Sequence, residues 1–228
     1  MKRIKRKNEK TEKMKIALKP EVLKKFPQLK VAFILVEGID NKNKVKKANH
    51  LLAEMQKVIL LTFNKDTVKS HLLVAPWTVA KEEFGKKAQH YNTSVEILLK
   101  KALHRKKLHT KDTITALLHY LALKHIVPFG ADDPTKIKGD ITFGIKKDDL
   151  YYRDAKRVLG TKLDYWKNVT TAISPTSWCA LIHFEFLPPV SVAKQKEIIN
   201  EAEELIKAFC GGEVKKTVLS KGKKSATF

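Results

Sequence analysis

The segment WCALIHFEF, residues 178–186, most strongly constrains the fold, because nearly every position in it is apolar. Strand side chains alternate between two faces, so the even-numbered residues share one face and the odd-numbered residues share the other. A second run, VAFILV at 31–36, is continuously apolar and β-branched, which is typical of a buried strand. Amphipathic helices alternate with these strands, so the sequence predicts one mixed α/β domain.

Helical periodicity predicts the elements that pack around the strands. Apolar residues recur at helical spacing over 44–61, which predicts an amphipathic helix lying on the sheet. Thr93 followed by Glu96 predicts a capping box, and Asp112 and Ser191 are the expected N-caps of two further helices. The other predicted elements are short helices at 21–26 and 76–84, strands at 141–145 and 150–152, and an edge strand at 214–219.

Basic residues are in large excess and are concentrated at both ends. The chain of 228 residues has 46 Lys and Arg against 24 Asp and Glu, a formal net charge of +22. We therefore predict a basic, disordered tail at 1–18, a domain at 19–219 and a second basic tail at 220–228. The domain itself also has more cations than carboxylates, which favours a polyanionic partner such as RNA, since lysine and arginine displace counterions from phosphates. A lysine-rich proteome is the alternative explanation of the charge.

Several classes of protein are excluded by what the sequence lacks. No apolar run approaches the roughly 18 residues that span a membrane, and no apolar segment follows the basic start as in a secretory signal. The two cysteines and eight histidines show no metal-ligand spacing, and there is no Walker A, GxGxxG or GxSxG motif. We expect a cytoplasmic protein with no metal, no cofactor, no membrane association and no obligate protein partner.

Two polar segments are candidates for a ligand site. The turn 128–134, PFGADDP, can bring backbone groups and the carboxylates of Asp132 and Asp133 beside a ligand, or be a simple connection. His183 and Glu185 share one face of a predicted strand, where they can bind a polar group or relay a proton. The alternative is that this face of the strand meets solvent.

A histidine and a group of cations are the other candidates. His119 falls among apolar neighbours in the helix TITALLHYLALKH, where it either faces a pocket or is a structural histidine. The end of the preceding helix is either a solvated terminus or a contact for RNA phosphates. Its cations are Lys100, Lys101, Arg105, Lys106 and Lys107.

The stretch LLHYLALKHIVPFGADDPTKIKGDI, residues 117–141, resembles the B3/B4 domain of the phenylalanyl-tRNA synthetase β subunit, and more closely its free-standing relatives. The residues that keep the family's order and spacing there are Tyr120, Pro128, Asp133, Lys136, Ile137, Gly139 and Ile141. Upstream, the matching residues are Trp77, Phe84, Gly85, Ser94, Val95, Glu96, Leu98 and Leu99. Glu185 matches an acidic residue of the family's late core strand, and the likeness covers about residues 20–215.

The resemblance implies an α/β fold with a central cleft between sheet and helices, in which a wrongly attached amino acid is hydrolysed from tRNA. Such a site positions water and the ester with backbone groups and polar side chains, without a covalent nucleophile. Glu185 would then recognise the amino acid's hydroxyl, and His119, in place of the family's asparagine, would act with it in catalysis. The substrate-binding residues would be Gly130, Ala131, Asp132, Asp133 and His183, with Gly130 and Ala131 donating backbone N–H groups.

Four departures from the family pattern keep a second function open. His119 replaces asparagine, Gly130 stands where the synthetase has histidine, Thr78 replaces arginine, and 163–166 replaces an arginine-rich segment. The alternative is therefore a catalytically degenerate module that binds RNA or an amino acid. A third possibility is an enzyme that uses the same cleft on a free amino-acid derivative.

Overall fold

Two long antiparallel strands, β2 (Lys30–Glu37) and β7 (Cys179–Phe186), form the centre of the protein. This arrangement comes from a computed structural model, which describes residues 13–82, 92–146, 149–161 and 170–228. The outer strands are β3 (Phe129–Asp132) beside β7 and β8 (Glu213–Leu219) beside β2, so the sheet order is β3–β7–β2–β8. Every residue of β7 is buried, which means that both faces of this sheet are covered.

A second, five-stranded sheet covers one of those faces. Its order is β6–β5–β4–β1–β9, with β1 parallel to β4 and antiparallel to β9. Alternate residues of this sheet, such as Ile16, Phe143 and Tyr152, pack against Phe33 and Leu181 of the four-stranded sheet. The strands are β1 (Lys15–Leu18), β4 (Ile141–Lys146), β5 (Asp149–Arg153), β6 (Val158–Thr161) and β9 (Ser225–Thr227).

Helices cover the opposite face of the four-stranded sheet. Leu117 and Ile198, from two different helices, pack with Ile182 and Phe184 of β7. The described helices are α1 (Pro20–Lys25), α2 (Val45–Thr62), α3 (Ala75–Glu82), α4 (Ser94–Leu103), α5 (Thr113–His125) and α6 (Val192–Cys210). None of these is both long enough and apolar enough to cross a membrane. The protein is thus a single mixed α+β domain, as the sequence predicts.

The position of α2 differs from the prediction. The sequence places this helix on the sheet, whereas it packs chiefly against α5 and α4 in an outer layer. Its buried Leu52 and Ile59 join a helical core with Leu99, whereas Ala48 and the half-buried Leu51 reach the core beside the sheet. A single apolar stripe satisfies either packing partner, so periodicity alone does not choose between them.

Three predicted helix N-termini are confirmed. The Glu96 carboxylate accepts a hydrogen bond from the Thr93 backbone N–H at 2.6 Å, and the Thr93 hydroxyl accepts from the Glu96 N–H at 3.3 Å. Asp112 accepts from a backbone N–H of α5 at 2.8 Å, and Ser191 accepts from one of α6 at 3.1 Å. Capping residues in the sequence therefore predict where these helices begin.

The predicted tails and the predicted turn are partly wrong. Residues 15–18 are not tail but the strand β1, and residues 225–227 form β9 beside it. The backbones of Met14 and Phe228 also exchange hydrogen bonds of 3.2 and 3.0 Å. Residues 129–132, predicted as turn, form the edge strand β3, because their backbone pairs with β7. Residues 1–12, Phe84, Gly85 and 163–166 lie outside the described residues.

A buried amide connects the central sheet to α5. The side chain of Asn41, which is 1% exposed, donates to the Ser174 carbonyl oxygen at 2.8 Å and accepts from the Ile114 N–H at 2.9 Å. Its amide also lies 3.3 Å from the Asp112 carboxylate. The residue therefore joins the end of β2, the start of α5 and the loop before β7.

We expect Asn41→Ala to lower the free energy of unfolding by about 2–4 kcal/mol, because it leaves buried groups without their hydrogen-bond partner. Asn43→Ala is the matched control, since this neighbouring asparagine is exposed, and it is expected to change stability by less than about 0.5 kcal/mol. Urea denaturation of the three proteins measures both effects. Equal stability of the two variants would contradict the assignment.

Candidate functional site

The polar face of β7 is enclosed between the two sheets. His183 is fully buried and Glu185 is 3% exposed, on the side of β7 that meets the five-stranded sheet. The Nδ1 atom of His183 forms a hydrogen bond with a carboxylate oxygen of Glu185. The predicted pairing of these residues is therefore confirmed, and the solvent-facing alternative is wrong because the second sheet covers this face.

Three further polar residues, Asp132, Tyr152 and Thr171, lie beside His183 and Glu185. We call these five residues the inter-sheet cluster. Asp132 extends from β3 opposite Leu181, and its carboxylate accepts a hydrogen bond from the Thr171 hydroxyl. The Tyr152 ring, on β5, lies with its centroid 6.0 Å from that of the His183 ring. The cluster thus gathers side chains from β3, β5 and β7 at one place between the sheets.

Burial shifts the protonation of two members of this cluster. It raises the pKa of Asp132 to about 6, against the opposing effects of the Thr171 hydrogen bond and of His183. It also raises the pKa of Tyr152 well above its ordinary value, and the nearby Asp132 and Glu185 carboxylates add to this shift. Asp132 can therefore exchange a proton close to neutral pH, which is the property that general acid–base chemistry requires.

The His183–Glu185 pair has a separate chemical capacity. A carboxylate that accepts a hydrogen bond from an imidazole fixes the orientation of the ring. The same carboxylate can accept a hydrogen bond from a hydroxyl or ammonium group of a ligand. The pair is thus suited to binding a polar group in the otherwise apolar space between the sheets.

The hydrogen-bond ladder of β3 separates the two backbone groups predicted to bind the ester. In an antiparallel pair, successive residues alternate between facing the partner strand and facing away. The Glu185 N–H donates to the Pro128 carbonyl oxygen at 3.3 Å, so Gly130, two residues further on, also faces β7. The predicted use of the Gly130 N–H for a ligand is therefore wrong, because that group belongs to the sheet.

Ala131, in contrast, directs its N–H away from β7. The N–H groups two residues before and two residues after Ala131 point to the same outer edge of β3. The Phe129 N–H donates to the Ser94 hydroxyl at 3.0 Å, and the Asp133 N–H donates to the Thr171 carbonyl at 2.7 Å. The Ala131 N–H lies between these two contacts, next to Asp132. The same edge carries an isolated antiparallel bridge between Asp132 and Ala172. Of the two predicted donors, Ala131 is thus the one whose N–H is not committed to β7.

The Asp133 carboxylate stabilises the loops around it through hydrogen bonds. Its carboxylate accepts hydrogen bonds from the Ser177 hydroxyl at 2.6 Å and from the N–H and hydroxyl of Thr135 at 3.1 and 2.6 Å. These contacts cap the 3₁₀ turn Pro134–Lys136 and hold the loop that precedes β7. The structure therefore places Asp133 in a supporting position, apart from the inter-sheet cluster.

His119 lies on the other side of the four-stranded sheet from Glu185. Its ring packs edge to face on Phe129, with the centroids 5.6 Å apart, and Phe129 faces the helices. Its Nδ1 atom is buried and has no hydrogen-bond partner within the described residues. Burial, with a smaller effect from Lys101, lowers the pKa of His119 to about 4, so the ring is neutral at pH 7. The two residues predicted to act together in catalysis are thus on opposite faces of one sheet.

The cations at the end of α4 form an exposed surface, which we call the α4 basic end: Lys100, Lys101, Arg105, Lys106 and Lys107. Arg105 has a left-handed backbone (φ 55°), which ends the helix. The Gln56 side chain of α2 holds the following loop by donating to the Lys106 carbonyl oxygen at 2.9 Å. The charge of Lys101 lowers the pKa of His119, which packs on Phe129 of β3. The α4 basic end therefore lies near the side of β3 that faces the helices.

One group of described residues has donor atoms close enough to hold a metal ion, namely His125, Glu197 and Glu201, whose atoms lie within 4.8 Å of one another. Lysines already neutralise both carboxylates, with Nζ–O distances of 2.6 Å from Lys124 to Glu201 and from Lys194 to Glu197. The His125 Nε2 atom contacts Glu201 at 2.8 Å. These contacts make the group an ion-pair network between α5 and α6.

Sequence reasoning missed two members of the inter-sheet cluster. Tyr152 lies in a predicted strand, and its alternation with Tyr151 and Arg153 gave a usable signal that it faces inward. Thr171 gave none, because it comes from a loop and reaches Asp132 only through tertiary packing.

Comparison with known proteins adds no family to this picture: no protein-family model matches the chain, and no curated protein matches it. The B3/B4 likeness therefore stays an expectation that rests on the residues named for it above. The function has to be argued from the inter-sheet cluster and its surroundings.

The lowered pKa of His119 predicts a pH-dependent contribution to stability. Between pH 6.5 and 4 the unfolded chain binds a proton on this residue and the folded chain does not, so acid favours unfolding. Relative to His119→Gln, the wild type should lose about 2–3 kcal/mol of unfolding free energy as the pH falls from 7.5 to 4.5. Urea denaturation across this range measures the difference, and a constant difference would contradict a neutral, buried ring.

Asp132→Asn is the matched comparison, because the ionisation of Asp132 changes the free energy of unfolding with pH in the opposite direction. The folded chain holds the Asp132 proton up to about pH 6, whereas the unfolded chain releases it near 3.8. Relative to this variant, the wild type should therefore lose about 2 kcal/mol as the pH rises from 4.5 to 7.5. Asparagine keeps an acceptor for the Thr171 hydroxyl, so the comparison isolates the ionisation.

Proposed function

We propose that this protein binds tRNA and hydrolyses an amino acid ester attached to it, which would make it a free-standing editing deacylase of the cytoplasm. The observation that carries the proposal is the inter-sheet cluster. Burying several titratable side chains between two apolar sheets costs free energy, and such groups are concentrated where proteins bind ligands or transfer protons. The sequence likeness to an editing domain supports the same reaction.

The residues of the cluster have distinct roles in this reaction. Glu185 accepts a hydrogen bond from a polar group of the amino acid, and His183 orients Glu185. Asp132 takes a proton from the attacking water, as its pKa of about 6 allows. The Ala131 N–H donates to the ester carbonyl oxygen as negative charge develops there.

The bond changes balance without any cofactor. The water oxygen adds to the ester carbonyl carbon, and the bond from that carbon to the ribose oxygen then breaks. The proton taken up by Asp132 passes to the ribose oxygen, so the products are a free amino acid and a tRNA with a free terminal hydroxyl. His119 takes no part in these steps, because it lies on the other face of the sheet.

The α4 basic end supplies the contact for the tRNA backbone. Its five cations are exposed, and the chain as a whole carries a net charge of +22. Cations at a helix C-terminus also lie at the negative end of the helix dipole, which helps to hold them there. Such a surface binds phosphates without regard to sequence, so the choice of substrate falls to the cluster.

A specific observation favours the alternative of a degenerate binding module. His183 is 0% exposed and Tyr152 is 2% exposed, so the described residues enclose the cluster, whereas a hydrolase must admit water and an ester. In this alternative the cluster stabilises the two-sheet packing or holds an amino acid, and tRNA binding persists without turnover. The two functions share a partner and differ in hydrolysis.

Deacylation of a panel of mischarged tRNAs, beginning with Tyr-tRNA(Phe), tests the hydrolysis. We expect turnover by the wild type and a loss of roughly 100-fold in Glu185→Gln, since general acid–base and recognition contacts are worth factors of this order. The control is Glu204→Gln, which removes one exposed carboxylate and should leave the rate unchanged. Cooperative thermal unfolding of both variants confirms that they are folded.

Three results decide between the proposals. Turnover that depends on Glu185 supports the deacylase. Retention of tRNA without turnover of any substrate supports the degenerate module and overturns the deacylase. Neither turnover nor retention overturns both.

Replacement of the five residues of the α4 basic end by glutamine should weaken tRNA binding by at least about 10-fold at 100 mM salt, because each phosphate contact contributes counterion release. It should also make the dependence of log Kd on log salt shallower. The matched control removes five exposed lysines from other elements, namely Lys24, Lys65, Lys69, Lys196 and Lys221. A similar loss in both variants would show a general charge effect in place of a defined surface.

A further inference from the structure

The outer face of the five-stranded sheet is polar and basic. On β4 and β5, Phe143 and Tyr152 point towards the four-stranded sheet, so Thr142, Tyr151 and Arg153 point away from it. Two described helices, α1 and α3, pack with this sheet, and they do so through buried residues that belong to the core between the sheets. No described helix therefore covers the outer face.

A tyrosine side chain of β5 lies close over a glycine of β4 on this face. Gly144 of β4 is directly opposite Tyr151 of β5, and a Cβ atom at position 144 would come within 2.5 Å of the tyrosine Cζ. The absence of that Cβ lets the ring rest on the backbone of β4. Tyr151 is half-exposed, so part of its ring is open to solvent.

A groove of about 630 Å³ adjoins this ring, and the exposed part of its charged lining has two cations and one carboxylate. The lining includes Lys19, Asp140, Arg153 and Asp154. Lys19 and Arg153 are exposed at the groove. The two carboxylates, in contrast, are both engaged by backbone N–H groups.

The backbone contacts of the carboxylates can be named. Asp154 accepts from the N–H groups of Lys138, Lys156 and Arg157 at 3.0, 2.8 and 2.7 Å. These bonds outweigh its burial and lower its pKa. Asp140 accepts from the Lys15 N–H at 2.9 Å. The Arg153 Nε atom donates to the Asp154 carbonyl oxygen at 3.1 Å, which holds this guanidinium at the groove. The groove therefore presents an aromatic ring beside two exposed cations, which complements a base joined to a phosphate.

We propose that this groove binds a single-stranded segment of RNA, with one base stacked on Tyr151 and the adjoining phosphates paired with Lys19 and Arg153. Aromatic rings on open sheet surfaces beside cations bind single strands in this way, because every base has a face that can stack. The proposal rests on the proposed function in that it gives the tRNA a second contact surface, one that reads an unpaired strand. The α4 basic end would hold the folded part of the same molecule.

Fluorescence anisotropy with labelled oligo(U) and oligo(A) of 12 nucleotides tests this proposal on the full chain. We expect wild-type binding to weaken with salt, and Tyr151→Ala to lose roughly 5- to 100-fold in affinity, the range that loss of one stacked base produces. Tyr151→Phe keeps the ring and should bind as the wild type does. Lys196→Gln, at an exposed site on α6, is the control for charge removal.

A second variant keeps the test valid if Tyr151→Ala unfolds. The double substitution Lys19→Gln and Arg153→Gln leaves the ring and its contact with Gly144 intact. It should weaken oligonucleotide binding and reduce the salt dependence of the affinity by the equivalent of about two phosphate contacts. Binding of oligonucleotides by either folded variant at the wild-type level would overturn the groove assignment. So would wild-type protein that binds tRNA but neither oligonucleotide.

The outcomes separate this proposal from the proposed function. Loss of oligonucleotide binding in Tyr151→Ala, together with deacylation that still depends on Glu185, supports both. Loss of oligonucleotide binding with no deacylation of any substrate supports the groove and overturns the deacylase alone. Deacylation that persists when Tyr151→Ala leaves oligonucleotide binding unchanged overturns the groove alone.

Discussion

The pairing of β2 with β7 is the interaction on which the rest of the structure depends. These strands align over their whole length, from Lys30 opposite Phe186 to Glu37 opposite Cys179, and β7 is buried at every residue. A strand pair that is apolar on both faces has to be covered on both faces. The five-stranded sheet supplies one cover and the helices α5 and α6 supply the other. His183 and Glu185 are enclosed as a result, since they lie on the face of β7 that receives the second sheet, whereas Ile182 and Phe184 between and beside them face the helices.

The sequence predicts the long elements well because their signals are local. Thr93 and Glu96 cap α4 as the residue spacing requires, and the apolar run at 179–186 is strand whatever surrounds it. Short strands are different, since three or four residues such as Ser225–Thr227 carry too few side chains to show a period. Their conformation is set by the neighbouring strand, which is distant in the chain, so β1 and β9 were predicted as tail.

The candidate site shows the same division between local and tertiary information. The pairing of His183 with Glu185 follows from alternation along one strand, and the structure has it. The proximity of Asp132 and Tyr152 depends on how two sheets pack, and the separation of His119 from Glu185 depends on which side of a sheet a helix covers. Neither is encoded in the spacing of residues, which explains why the predicted catalytic pair is divided by the sheet.

The position of β1 has a consequence for how the chain acquires its structure during synthesis. Ile16 is hydrogen-bonded in the sheet between Ile141 and Ala226, so one of the earliest described segments has both of its partners far downstream. A ribosome must therefore deliver β4, β5, β6 and β9 before all five strands can pair. Until β4 and β5 have been synthesised, Phe33 of β2 lacks Phe143 and Tyr152, which pack with it in the core between the sheets. The nascent protein thus presents the apolar strand β2 to the cell until those strands emerge, and a holding chaperone or rapid translation of this stretch would limit aggregation.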